Sequence, residues 1–268
     1  YGPDAAFYLG VSDYFMGEYE DANKAFDCYL KYRQDSAHFF EAVQFKYCIA
    51  EYFKDGGKRR LFSYCGLPKW SCGYSYAVEI YDQIVFAVPN NELAAKSLFA
   101  KADLLAWLQD FREAIDTYQI FLRRFPKHEM APQCYLNILH AYAKLAEIEI
   151  QNADILAFAQ LTMAKFAKLF PRDERLGDGE AIVQHIKELF AYGFYELGCY
   201  YERSGWCRAA AIYYNTCRER FPETQVAMYA SERLQFVGHL LPAAPAEKVA
   251  AEPEPCSTDV PTDIEFEE

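Results

Sequence analysis

Residues 208–222 read RAAAIYYNTCRERFP, and three other stretches repeat their plan: YAVEIYDQIVFAVP (76–89), REAIDTYQIFLRRFP (112–126) and LAFAQLTMAKFAKLFP (156–171). In each, a small residue is followed by a large one four positions on, another three beyond that, and a proline five later. The sets are Ala77/Tyr81/Ile84/Pro89, Ala114/Tyr118/Phe121/Pro126, Ala159/Met163/Phe166/Pro171 and Ala210/Tyr214/Cys217/Pro222. A fifth set, Ala22/Phe26/Tyr29, opens the chain with Gln34 where the proline would stand. Spacings of four and three put these residues on one face of a helix. Alanine lets a second helix approach closely, the large residues fill the gap, and proline ends the unit because it cannot continue the helix.

Working outward, a preceding helix matches in the first and last units. Phe7-Tyr-Leu-Gly10 leads to Gly17 and Ala22, and Phe194-Tyr-Glu-Leu-Gly198 leads to Gly205 and Ala210. Gly10 and Gly198 permit close backbone packing, and Gly17 and Gly205 supply the turn between the two helices. This is the tetratricopeptide pattern, whose period is about 34 residues. The fold expected is all-α: a right-handed superhelical solenoid of about five tetratricopeptide-like helical hairpins with a terminal capping helix. The steps between the alanines, 55, 37, 45 and 51, all exceed the standard period. The first holds an insertion at 54–75, and the last two imply longer helices or loops, with Gly177-Asp-Gly179 expected in a loop. Thr224–Leu241 carries an apolar stripe (Val226, Tyr229, Leu234, Val237, Leu241) and is read as the capping helix. The organisation expected is repeats one to three over 1–126, repeats four and five plus the capping helix over 127–241, and an acidic tail over 242–268. The tail holds eight acids against one base, Lys248, with almost no large apolar residue, so it is expected to be disordered.

A formal net charge of −12 argues against nucleic-acid partners, which need a basic face. The Lys58-Arg59-Arg60 triplet is read as a solvated turn. None of the five histidines stands in a metal-binding or catalytic motif, and no phosphate loop or nucleophile elbow occurs. The expectation is a protein that is not an enzyme and carries no cofactor or metal. The nine cysteines include no CxxC pair, and most are read as small buried hydrophobes. No apolar run reaches the ~20 residues that span a bilayer. The chain opens at Tyr1, almost inside a repeat, and is read as a processed or trimmed form.

In tetratricopeptide arrays the first helices line a concave surface. The pattern laid on this chain assigns the groove to Phe7, Val11, Tyr14, Phe45, Ile49, Tyr52, Phe99 and Asp103. The Lys and Asn that clamp a terminal carboxylate in some arrays are absent at the fifth and ninth positions. Rings in the first two repeats suit an extended or helical segment bearing aromatic side chains.

Arg123-Arg-Phe-Pro-Lys-His128 followed by Ala131-Pro132 resembles the joints of the BamD/ComL outer-membrane lipoproteins. So do Leu197-Gly-Cys-Tyr-Tyr-Glu-Arg-Ser-Gly205, Ala209–Tyr214, Arg220-Phe-Pro-Glu-Thr224 and Ala230-Ser-Glu-Arg-Leu234 in the last repeat and final helix. The resemblance covers roughly residues 1–240. It implies a scaffold on the periplasmic face of the bacterial outer membrane, tethered by a lipid anchor missing from this chain. Its first repeats would receive unfolded β-barrel precursor segments. Its last repeats, with Glu202, Arg203, Arg208 and Arg218, would dock the periplasmic domains of a BamA-like inserting subunit beside other assembly-complex subunits. The lipid-bearing cysteine is not present, and the insertion and the acidic tail depart from the family's core. The alternative is a soluble tetratricopeptide chaperone or adaptor for one secreted or cytosolic client.

Overall fold

The computed structural model describes residues 3–32, 38–60, 69–149 and 152–240. Gln34, Cys65, Leu241 and the acidic tail therefore lie outside the described residues. Among those described, helices pair in chain order into five hairpins: α1 (Pro3–Phe15) with α2 (Tyr19–Tyr32), α3 (Phe39–Lys54) with α4 (Tyr74–Ala87), and α5 (Glu92–Trp107) with α6 (Phe111–Arg124). Next come α7 (Ala131–Ile148) with α8 (Ala153–Leu169), and α9 (Leu176–Arg203) with α10 (Cys207–Arg220). A last helix, α11 (Gln225–Leu240), packs on α9 and α10. The fold is an all-α helical-repeat solenoid.

The repeated residues make the core. Ala22, Ala77, Ala114, Ala159 and Ala210 are fully buried, as are Tyr29, Ile84, Phe121, Phe166 and Cys217. At the large site between them, Phe26, Tyr81, Tyr118, Met163 and Tyr214 are buried too. A Cβ on Gly10 would sit 2.8 Å from the Phe26 ring, and one on Gly198 would sit 2.4 Å from the Tyr214 ring. Those two glycines thus seat the second-helix rings directly on the first-helix backbone. Two buried clusters result, meeting on α5: Ala100 and Leu104 face the first, while Leu98, Ala102 and Leu105 face the second.

The ends of the elements follow a common chemistry. Val88, Phe125, Phe170 and Phe221 precede the four prolines and take φ between −126° and −132° with ψ between 53° and 62°. Proline bars its predecessor from the helical region, which stops each second helix at the same point. Helices α1, α5 and α9 end in a Schellman turn. Gly17, Gln109 and Gly205 take φ of 77°, 67° and 78°, and the next residue donates back five positions: Glu18 N to Asp13 O, Asp110 N to Leu105 O, Trp206 N to Tyr201 O, each 2.9 Å. Gln109 holds this left-handed conformation with a side chain attached, which costs energy that glycine does not incur.

Four expectations need correction. The 54–75 insertion contains two short antiparallel strands, β1 (Lys58–Arg60) and β2 (Lys69–Cys72). Its basic triplet is no solvated turn. Arg59 Nε donates to Glu20 and Arg60 Nη2 to Glu18, both at 2.8 Å, and Arg59 lies 4.5 Å over the Tyr76 ring. Lys69 Nζ caps the α1–α2 turn at the Gly17 carbonyl, 2.8 Å away. Gly177 and Gly179 lie within the first turns of the 28-residue α9, and a Cβ on Gly179 would meet Met163 Sδ at 2.9 Å, so small size serves helix packing there. On α11, Ala227, Ala230 and Val237 face inward while Tyr229 faces solvent. Finally, of the seven described cysteines only Cys134 and Cys217 are buried; Cys28, Cys48 and Cys72 are exposed.

Neighbouring hairpins are tied by buried lysines nineteen residues beyond an acid. Lys46 on α3 pairs with Asp27 on α2 and donates to Gln83 Oε1 at 2.6 Å, while Lys101 on α5 meets Asp82 on α4 at 2.8 Å. Lys46 is 1% exposed, and burial holds its pKa below the ordinary lysine value despite the adjacent Asp27.

Two stability predictions follow from these joints. Gln109→Gly should raise the free energy of unfolding by about 0.5–1 kcal/mol, measured by urea denaturation. Asp27→Asn should lower it by about 2 kcal/mol by stranding a buried ammonium, and adding Lys46→Met should recover most of the loss. An unaltered Asp27→Asn midpoint would show that the ion pair carries nothing.

Candidate functional site

A tie recurs inside the hairpins. The second-helix tyrosine donates its hydroxyl to a first-helix carboxylate: Tyr81 to Glu51, Tyr118 to Asp103, and Tyr214 to Glu202 at 2.8 Å. Burial and the facing carboxylate push each phenol well above its usual pKa, so these tyrosines are fixed donors. Asp103 also accepts from Asn137 Nδ2 on α7 at 3.1 Å. Burial raises its carboxyl above the usual range, against the pull of those two donors.

Most residues assigned to the groove are enclosed. Phe7 is 4% exposed, stacked 4.5 Å from His38 and tilted against Tyr29 at 5.4 Å, because the start of α3 covers it. Ile49 is fully buried. Phe45 is half-buried and stacked 5.4 Å from Phe26, and Tyr14 meets it edge-on at 5.0 Å. Val11 is half-buried on the same cluster, and Phe99 is half-buried 6.0 Å from Tyr118. Asp103 is half-buried in its tie to Tyr118. Only Tyr52, 38% exposed beside Tyr19 at 4.2 Å, stands open to solvent.

On α3 the register differs from the one counted in the sequence. The Tyr81–Glu51 tie matches Tyr118–Asp103, with buried Ala50 and Phe53 of α3 standing where buried Ala102 and Leu105 stand on α5. On α3 the exposed residues at i, i+4 spacing are Gln44, Cys48 and Tyr52. On α7 the open stripe is Gln133, Asn137 and His140, half-buried to exposed, and on α9 it is Tyr192, Glu196 and Tyr200. The surface is aromatic at its ends (Tyr8 on α1, Tyr192 and Tyr200 on α9) and amide-rich between them. The i, i+4 spacing of Gln44, Cys48 and Tyr52, flanked by apolar faces, was the available signal for it.

The docking set also divides. Glu202 is committed inside the fold, holding Tyr214 on α10 and Arg233 on α11. Arg203 and Arg208 are exposed on either side of the α9–α10 turn. Arg218 is exposed near the far end of α10, about 15 Å along the helix from Arg208, and donates to Asn215 at 3.0 Å. Sequence reasoning passed over Trp206, which stands 68% exposed between Arg203 and Arg208. Among the described residues no group of histidines, cysteines and acids is arranged to hold a metal ion. Burial pushes the Cys217 thiol up to about 11 and Cys134 further, which keeps both as unreactive thiols at neutral pH.

A solenoid of hairpins with an open first-helix face defines the tetratricopeptide class of protein-binding scaffolds. Residues 75–241, from α4 through α11, match the YfiO family of outer membrane lipoproteins, and with more than half of its length so matched the chain belongs to that family. Among solved structures it is similar to the MamA protein, at 14% identity and a TM-score of 0.34, covering 91% of this chain and 98% of that one. It is also similar to a tetratricopeptide repeat protein from Parabacteroides merdae, at 13% identity and a TM-score of 0.32, covering 88% and 98%. No curated protein matches it significantly.

Burial separates structural rings from presented ones. Phe7→Ala should cost about 3 kcal/mol of folding stability, whereas Tyr52→Ala should cost less than about 1 kcal/mol. Paired urea melts check this, and equal losses would contradict the exposure assigned to Tyr52.

Proposed function

We propose that this protein is a BamD-like, non-catalytic component of the outer-membrane β-barrel assembly machinery, working at the periplasmic face of the membrane. Family membership across three hairpins and the capping helix is the observation that carries this reading. The first three hairpins, 1–126, hold unfolded β-barrel precursor segments. The last two with α11, 127–241, dock a BamA-like inserting subunit. The bilayer is reached through a lipid anchor.

The surfaces suit that division. Tyr8, Phe15 and Tyr52 are exposed rings on α1 and α3, able to pack on aromatic side chains of an extended client. The amide-rich stripe at Gln133 and Asn137 can donate to and accept from an unpaired client backbone. At the other end, Trp206 between two exposed arginines has the composition of an interface anchor. Internal use of Glu202 removes it from the docking set and leaves Arg203, Arg208 and Arg218.

Photoreactive residues placed singly at Tyr52 and Arg208 in cells of the source organism test the reading. Position 52 should capture unfolded barrel precursors and position 208 the inserting subunit. Trp206→Ala with Arg208→Glu should reduce co-purification of that subunit at least ~5-fold, as loss of a moderate hot spot would. Capture of only soluble, unrelated proteins at both positions would sink the assignment.

A further inference from the structure

A groove lies between the second helices α6 and α8, with α7 as its floor, and encloses a cavity of about 250 Å³. Tyr135, Ile138 and Tyr142 of α7 are buried along the floor, while Phe158 and Leu161 of α8 are each 52% exposed on one wall. Tyr142 and Phe158 stack at one end, with ring centroids 6.4 Å apart. At the other end Tyr135 stacks on Phe166, and Arg123 and Lys165 stand exposed on the two rims. The groove is thus apolar at one end and cationic at the other. A hollow of ~150 Å³ lined by apolar residues already holds a benzene ring.

The cations continue past the groove. Arg124 and Lys127 follow Arg123, Lys168 and Arg172 follow Lys165, and all are exposed. Lys101, Arg112, Lys144 and Arg175 on the surrounding elements each hold a carboxylate, whereas none of these six forms an ion pair among the described residues. Asp116 stands by Tyr142, at the apolar end. The corresponding groove between α2 and α4, floored by α3, is larger at about 590 Å³, but Asp27, Glu79 and Asp82 line it beside Lys31 and Lys46. Charge therefore distinguishes the two grooves, and only the one at α6 and α8 is suited to an acidic occupant.

We propose that this groove receives a segment of the same chain, residues 259–268, which read DVPTDIEFEE. Ile264 and Phe266 pack beside Phe158 and Leu161, and Glu265, Glu267 and Glu268 face Arg123, Lys165 and the cations beyond them. The segment combines the two features that the groove offers to match, large apolar side chains and carboxylates, and it contains no base. The tether permits the contact. Helix α11 ends at Leu240, on the hairpin next to α7 and α8. Residues 241–262, at no more than ~3.6 Å each, can reach on the order of 70 Å, while packed helices lie only ~8–10 Å apart. Attachment to the chain also raises the local concentration of the segment, so weak contacts suffice. Docked there, it covers the exposed apolar wall of α8 and neutralises the rims, and a partner using this face has to displace it. The site is separate from the first-helix stripe, and its existence does not depend on which machinery the protein serves.

The test uses the full chain with a photoreactive benzophenone amino acid in place of Phe266, irradiated when dilute and at low salt. The product should be a monomer linked within itself, and mass spectrometry of its peptides should place the link in 119–123 or 158–165. Arg123→Glu with Lys165→Glu, both exposed, should cut the yield at least ~5-fold, as loss of two exposed ion pairs would. Adding Glu265→Lys and Glu267→Lys to that variant should restore the yield. Phe158→Ser, which opens the apolar wall without changing charge, should lower it as well, so the proposal stays testable if the charge-reversed variant melts early. Links that fall on α1 to α4, links found only between two molecules, or a yield indifferent to both the charge reversal and Phe158→Ser would each overturn the proposal. Failure here leaves the proposed assembly role standing, because that role is read from captured partners in cells.

Discussion

Each hairpin depends on how closely its two helices approach, and that is set by what faces the large residue of the second helix. Where the first helix offers glycine, at Gly10 and Gly198, a full aromatic ring lies against the backbone. Close packing at interior density leaves no tolerance for an added methyl at such a point. In the fourth hairpin the bulk is shared differently. Leu139 on α7 is buried, and the facing residue is Met163, whose unbranched chain adapts to the space that remains. Gly179 then makes room for that methionine from α9. One packing rule thus tolerates sequence variation, provided that the volumes on the two sides compensate.

The hairpins, their ends and their core were legible because these are set by local spacing. Alanine, a large residue four on, a second three further and a proline together dictate which face is buried and where the helix stops. The open face was not legible, because exposure on a first helix depends on how the next hairpin is offset. Phe7 sits at a groove position by pattern and is closed over by His38, a residue that no spacing within the first hairpin could have implicated. On α3 the insertion removed the fixed distance to Ala77 from which register is counted, and Phe45 and Ile49 were consequently placed one residue away from the exposed stripe. The Tyr–carboxylate ties restore the register, but they join residues 12 to 30 positions apart and carry no local signature.

Charge was misread for a related reason. Glu18 and Glu20 have the spacing of a solvated helix start, and the Lys-Arg-Arg triplet has the composition of a solvated turn. Brought together by the fold, they neutralise each other across the insertion and the α1–α2 turn. Asp27 and Asp82 are likewise consumed by Lys46 and Lys101 at the joints between hairpins. Ion pairs of this kind fix geometry more than they add stability, since desolvating the ammonium offsets much of the attraction. Their effect is to hold the angle between consecutive hairpins, and with it the line of the first-helix stripe. Arg208 and Arg220 in the last hairpin are exposed and form no ion pair among the described residues.

Solenoid packing is a nearest-neighbour affair, so a change in one hairpin propagates no further than the next. The two buried clusters meet on α5, and residues 1–74, which lie outside the family match, contribute to the first cluster only. Tyr74, near the end of the insertion, packs against Trp107 on α5 with ring centroids 4.8 Å apart. Alterations in α1, α2 and the β-hairpin can therefore re-shape the rings presented at that end while α6 to α11 keep their arrangement. That decoupling lets one end of the array vary without disturbing the arginines and the exposed tryptophan at the other.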